Sequence, residues 1–150
     1  MRIFKRILVI LLIIFLVIQV FRPAKNLTGD MKNDISNKYS VPDNVKVIML
    51  KACYYCHRHK TRYPWYAEVQ PVNWWLSNDV KDAKRQINFN EFTTYRIYRH
   101  FNNLEIGMDE VKDGGMPLPS YTWIQRVAVM TDAVKQPFQN WCYAVRASTR

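Results

Sequence analysis

The stretch Cys53-Tyr54-Tyr55-Cys56-His57 decides how the rest of the chain is interpreted. Two cysteines three positions apart, followed directly by histidine, form the attachment pattern of c-type haem. Positions i and i+3 lie on one side of a helical turn, so both thiols can add to the vinyl groups at one edge of a single porphyrin. His57, carried beside them, then becomes the proximal ligand of the iron. The pattern predicts one covalently attached haem c, held by Cys53 and Cys56.

A redox dithiol and a zinc site are the alternative interpretations of this cysteine pair. A structural zinc site uses four ligands, and only His59 and the distant Cys142 could complete the set. His57 and His59 stand too close together for the usual ligand spacing. The βαβ pattern expected around a thioredoxin-like dithiol is not visible either, so the sequence favours haem.

Length and composition indicate one domain with a bulky aromatic core. The chain has 150 residues, with seven Phe, nine Tyr and five Trp. Its four glycines are too few for a turn-rich β fold. The net charge is +10, but five of the 22 basic residues fall within residues 1–25. The modest positive charge of the remaining residues does not indicate nucleic acid as a partner, and it would suit docking to an acidic partner or to an anionic membrane surface.

Twelve consecutive apolar residues, Ile7 to Ile18, follow a short basic start. This length is typical of a secretory h-region and is short for a spanning helix. Arg22-Pro23 stops the segment and no small-residue cleavage site follows, so we predict an uncleaved signal anchor, a transmembrane helix, within residues 1–25. A removed signal peptide is the alternative. Basic residues before the run predict a cytoplasmic N-terminus, which leaves the body on the periplasmic side of the inner membrane.

A polar linker over residues 26–41 is expected to precede a haem domain over residues 42–150. Apolar periodicity predicts a helix from about Asn44 that delivers Cys53, and an amphipathic helix of about 16 residues that begins at Pro71. Further helices are expected after Asn90 and Thr131. The predicted fold class is all-α, a cytochrome c-like body of four or five helices around one covalent haem.

The second informative stretch is DGGMPLPSY, residues 113–121. A thioether is a soft sixth ligand for haem iron, and it must be presented by an extended loop. Pro117 disfavours the helical conformation at Met116, while Gly114 and Gly115 let the backbone pass close to a porphyrin. We therefore predict Met116 as the second iron ligand.

Several residues remain as alternative or additional site residues. Met108, His100 or an open sixth position are the alternatives to Met116. Trp141 is predicted to pack toward the haem, with its N–H on a propionate or with core packing as its only role. Cys142 lies on an apolar helical stripe and is interpreted as a small buried hydrophobe.

With these residues in view, the chain resembles the small haem-binding domain proteins of Bacteroidetes-type bacteria. The resemblance rests on CYYCHRHKTRYPWY at 53–66, PVNWWLSNDVKDAKRQINFNEF at 71–92, MPLPSY at 116–121 and Trp141. It implies one c-type haem, an N-terminal membrane segment and a helical body. Position by position, it implies haem attachment at Cys53 and Cys56, an iron ligand at His57 and the Met-Pro loop at Met116. Tyr121 and Trp141 are further predicted to contact the cofactor. Asp79 departs from the histidine that many members have.

These patterns predict a membrane-anchored monohaem c-type cytochrome that transfers one electron at a time to an unidentified redox partner protein. We expect no enzymatic activity, because a peroxidase needs an open distal face with an acid–base pair, and no convincing pair is visible. The alternative is a haem-based gas or redox sensor with a labile sixth ligand. In that case Asp79 or Tyr66 would face the vacated position.

Overall fold

The computed structural model describes residues 1–27 and 29–148, and within them the chain is helical with no β-strand. Six α-helices are α1 (Arg2–Ile18), α2 (Asp43–Ile48), α3 (Val72–Gln86), α4 (Ile97–Asp113), α5 (Pro119–Ile124) and α6 (Asp132–Ala147). Short turns of 3₁₀ helix cover Ile35–Asn37, Trp65–Glu68, Phe89–Thr94 and Arg126–Ala128, and a π-helical turn covers Met49–Cys53. The all-α prediction is confirmed, with five α-helices following α1.

The predicted transmembrane anchor is wrong. Among the described residues, none of the helices combines the length and the apolar character needed to cross a membrane. Helix α1 has 17 residues, and at about 1.5 Å per residue it is roughly 26 Å long, short of the ~30 Å hydrocarbon core of a bilayer. The localisation built on that helix, a single-pass inner-membrane protein with a periplasmic body, is therefore wrong as well.

The segment that follows α1 is fixed against the start of α3. The Gln19 side chain accepts a hydrogen bond from the Gln70 backbone N–H at 2.9 Å and donates one to the Gln70 carbonyl at 3.3 Å. The carbonyl of Phe21 accepts bonds from Gln70 Nε2 at 2.9 Å and from Trp74 Nε1 at 2.7 Å. Because Gln70 is fully buried, these bonds satisfy groups that would otherwise be desolvated without partners.

The core forms where α2, α4 and α6 meet. Its buried apolar side chains on these helices are Val45, Ile48, Leu104, Met108, Val111, Phe138, Trp141, Cys142 and Val145. Residues 29–41, part of the predicted linker over 26–41, wrap onto this core and bury Ile35 and Val41 in it. Phe92 is 0% exposed and anchors the turn between α3 and α4 to the same cluster. This arrangement leaves one side of α4 facing α3 and the cysteine-bearing turn.

Candidate functional site

A cavity of about 480 Å³ lies between α3, α4 and the turn that carries the two cysteines. Cys53, Cys56, His57, Met116 and Tyr121 all line it. Cofactor sites in proteins usually measure roughly 300–1,000 Å³ and are mostly apolar. The apolar wall here is formed by Ala52, Ala83, Ile87, Phe89, Leu104, Ile106, Val111, Leu118, Met130 and Phe138. Five of the six predicted site residues therefore share one apolar cavity.

The two cysteines are presented by a tight turn that continues α2. The Tyr54 N–H donates to the Met49 carbonyl at 2.7 Å and closes the π-helical turn. The N–H groups of Cys56 and His57 then both donate to the Cys53 carbonyl, at 3.2 and 3.0 Å. This local hydrogen bonding holds both thiols and the imidazole on one wall, as the spacing predicted.

The chemistry of the two thiols does not fit a redox dithiol. Both cysteines are free, and burial raises the pKa of Cys53 to about 12 and that of Cys56 to about 11. A reactive dithiol instead needs a lowered thiol pKa, because the thiolate is the nucleophile. The cavity keeps both thiols protonated near neutral pH.

These pKa values predict slow alkylation of Cys53 and Cys56 in the haem-free protein. At about pH 8 the thiolate fraction should be roughly a hundredfold or more below that of an ordinary cysteine, because each pKa unit lowers it about tenfold. Iodoacetamide labelling followed by peptide mass spectrometry measures the rate. The rate should still climb between about pH 9 and pH 11, where an unfolded control already levels off. Native rates equal to those of the unfolded control would contradict the burial of the thiols.

His57 is oriented as an iron ligand would need to be. Its Nδ1 lies 2.9 Å from the Ile87 carbonyl, and its own carbonyl accepts the Phe89 N–H at 2.9 Å. Because a carbonyl only accepts, Nδ1 carries the proton and Nε2 keeps its lone pair. Burial lowers the pKa of His57, although the hydrogen bonds to Ile87 and Ala83 oppose that shift. The ring is thus a neutral imidazole with a fixed tautomer.

The zinc interpretation has no support in the described part of the chain. His59 points to other partners: its Nε2 lies 2.6 Å from a Glu91 carboxylate oxygen and its Nδ1 lies 3.0 Å from the Asp30 carbonyl. Residues 1–27 and 29–148 contain no group of three or more His, Cys, Asp or Glu side chains placed to hold a metal ion. His59 therefore belongs to a polar network beside the cavity.

The loop that carries Met116 is shaped by the end of α4. Gly114 has a φ of 80° and ends the helix in the left-handed region that favours glycine. A Cβ added to Gly115 would overlap the carboxylate end of the Glu110 side chain, which would have to move aside. The Met116 N–H donates to the Glu110 carbonyl at 3.0 Å. The backbone thus fixes the residue whose thioether lines the cavity.

Tyr121 and Trp141, the two aromatic residues predicted to contact the cofactor, lie in different places. Tyr121 lines the cavity and packs its ring 5.0 Å from that of Tyr55, and burial raises the pKa of its phenol, so its O–H stays a donor. Trp141 is not part of the cavity lining. Its indole N–H donates to the Ser40 carbonyl at 2.9 Å, and its ring packs 6.2 Å from that of Phe138. The structure therefore gives Trp141 a core contact and gives its N–H a backbone partner.

Sequence reasoning missed several residues of the cavity. Met130, Phe138 and Asn103 line it, and the Ile87 carbonyl orients His57. Met130 adds a second thioether to the lining, which no sequence motif marks. Nothing in the sequence indicates that Asn103, and not its neighbour Asn102, lines the cavity. The side chain of His100, the alternative ligand, lies outside the described part of the structure.

The residues present fit a haem. Two thiols, a neutral imidazole of fixed tautomer and a thioether are the donor set of a c-type haem, and the rest of the wall suits a large apolar macrocycle. Fold and site therefore define a helical haem protein. The chain matches the haem-binding domain family over residues 13–144, and it belongs to that family. No curated protein and no solved structure matches it significantly, so the likeness to cytochrome c stays a prediction.

Proposed function

We propose that the protein carries one covalent haem c on Cys53 and Cys56 and transfers single electrons, without catalysing a reaction of its own. The observation that supports this most is the convergence of both thiols, His57 and Met116 on one cavity. Bound there, the haem supplies an iron that cycles between the ferric and ferrous states. The partner is proposed to be an acidic redox protein, because the chain carries a net charge of +10.

The protein's own residues favour fast electron transfer over ligand exchange. His57 is bound to the segment 87–89 through both its ring and its carbonyl, so the imidazole cannot turn freely. Met116 is restrained by its bond to the Glu110 carbonyl and by packing against the core. Two ligands held by the backbone keep their positions when the charge of the iron changes.

The test is a visible spectrum of both oxidation states, together with the intact mass, of protein made with a secretion leader in a host that attaches c-type haem. We expect a mass increase of one haem, a low-spin spectrum and the far-red charge-transfer band of methionine–iron ligation. Carbon monoxide should bind the ferrous protein slowly. A colourless chain at its polypeptide mass would overturn the proposal.

A sensor with a labile sixth ligand is the second candidate, because a carboxylate lines the cavity. Asp79 is part of the wall, and burial, followed by repulsion from Asp82, raises its pKa. A protonated carboxyl could donate a hydrogen bond to a bound gas, whereas Tyr66 is not part of the lining. Rapid carbon monoxide binding by the unaltered protein would favour this function over electron transfer.

A further inference from the structure

Asn103 on α4 has an unsatisfied hydrogen-bond donor in the cavity wall. Its Nδ2 is buried and has no hydrogen-bond partner within the described part of the chain, and its residue lines the cavity. A buried donor without an acceptor is costly, so such groups are rare unless a ligand satisfies them. The other buried side-chain atoms without partners, Tyr55 Oη, Tyr66 Oη and Gln70 Oε1, belong to residues outside the lining.

The chemistry of haem limits what Asn103 can contact. A porphyrin edge and its vinyl groups accept no ordinary hydrogen bond, whereas each of the two propionates is a carboxylate with two acceptor oxygens. If Cys53 and Cys56 hold the vinyl groups, the propionates project from the opposite side of the macrocycle. Asn103, a lining residue whose amide donor lacks an acceptor, is therefore complementary to a propionate.

The acidic residues of the cavity wall affect where a propionate could lie. Three acidic residues line it, Asp79, Asp82 and Glu110, and any of them that is ionised would repel a propionate. Asp82 forms an exposed ion pair with Arg85 at 3.2 Å. Glu110 lies seven residues from Asn103 along α4, a separation of about 10 Å.

Arg99 is a cation on the same helix as Asn103. Arg99 precedes Asn103 by one turn of α4, on the same side of the helix. Its guanidinium donates to the Arg85 carbonyl at 3.1 Å and lies 4.4 Å from the centre of the Tyr95 ring. Neither arginine is part of the cavity lining, which leaves Asn103 as the lining residue with an unpartnered donor among the described residues.

We propose that Asn103 is a positioning residue for the cofactor and that its Nδ2 donates a hydrogen bond to one haem propionate. This inference rests on the proposed function, because it needs a haem in the cavity with its vinyl edge at the cysteines. It assigns to Asn103 the contact that the sequence suggested for Trp141, whose N–H already has the Ser40 carbonyl as its acceptor.

The experiment compares holoprotein carrying Asn103→Leu with holoprotein carrying Asn102→Leu. The two changes are chemically identical and adjacent, but Asn102 is exposed. Resonance Raman spectroscopy reads the propionate bending modes, and intact mass reports haem attachment. We expect Asn103→Leu to keep the attached haem and to shift one propionate mode, whereas Asn102→Leu should leave both modes unchanged.

The outcomes separate this inference from the proposed function. An unaltered chain without attached haem would overturn the proposed function. If haem is attached but Asn103→Leu leaves the propionate modes where they were, the role of Asn103 is overturned. Should Asn103→Leu fail to fold, Asn103→Asp keeps the shape and replaces the donor with a carboxylate. It too is expected to shift one propionate mode, and an unchanged spectrum would count against the inference.

Discussion

Replacing both Cys53 and Cys56 by Ser is expected to yield a chain at its bare polypeptide mass, with no haem that survives denaturation. A hydroxyl does not add to a vinyl group as a thiol does, so both covalent links disappear while the cavity keeps its shape. His57 and the apolar wall remain, so any haem still taken up should be extracted completely by acidified organic solvent. The measurement is intact mass together with absorbance of the chain after extraction.

The third cysteine gives the matched control. Cys142 lines the same cavity, is 0% exposed, and has its thiol pKa raised by burial. Cys142→Ser makes the same sulfur-to-oxygen change within the same lining, yet it should leave one covalent haem per chain. Loss of covalent haem in Cys142→Ser, or its retention when Cys53 and Cys56 are both replaced, would contradict the assignment of the attachment sites.

The parts of the site that could be predicted from sequence are those encoded over a few neighbouring residues. The pair Cys53 and Cys56 with His57 needs one turn of backbone, and the Met116 loop needs its own glycines and prolines, so local chemistry determines both. The comparison confirms the family that these motifs suggested, over residues 13–144. Attachment and ligation at the individual residues stay predictions.

The parts that sequence reasoning missed depend on contacts between distant segments. Asn103 and Asn102 look alike in sequence, and only the placement of α4 across the cavity from α3 puts one in the cavity wall and the other in solvent. The Ile87 carbonyl orients His57 across 30 positions of chain, and a carbonyl has no residue identity that a motif could record. The N–H of Trp141 was a candidate donor to a propionate, but the fold places the Ser40 carbonyl beside it, and that carbonyl accepts its hydrogen bond.

The error at α1 has a different cause. The apolar run Ile7 to Ile18 was predicted to form a transmembrane helix, and the structure makes the chain helical from Arg2 to Ile18. The inference from composition to a membrane span failed on length, since the helix stops at Ile18 and the chain then turns to contact Gln70. Hydropathy shows which side chains are apolar, whereas the positions of the helix ends determine the length of the apolar helix.

Replacing Met116 by Leu should convert the low-spin holoprotein to a form with an open sixth position. Leu keeps the volume and apolar character of Met but has no sulfur lone pair, so packing is conserved while ligation is lost. We expect the far-red charge-transfer band to vanish and carbon monoxide to bind the ferrous form rapidly. The reduction potential should fall by on the order of 0.1 V, since a methionine ligand raises it within the roughly 0.8 V range that axial ligands set.

Met130→Leu is the matched control for this experiment. Met130 is the other methionine in the cavity lining and is 9% exposed, so the same substitution tests whether any cavity thioether suffices. The band should persist and carbon monoxide should remain slow to bind in this variant. If Met130→Leu loses the band and Met116→Leu keeps it, the sixth ligand is Met130. In that case the Met116 loop, which Gly114 and the bond to the Glu110 carbonyl hold in place, would serve only to close the cavity.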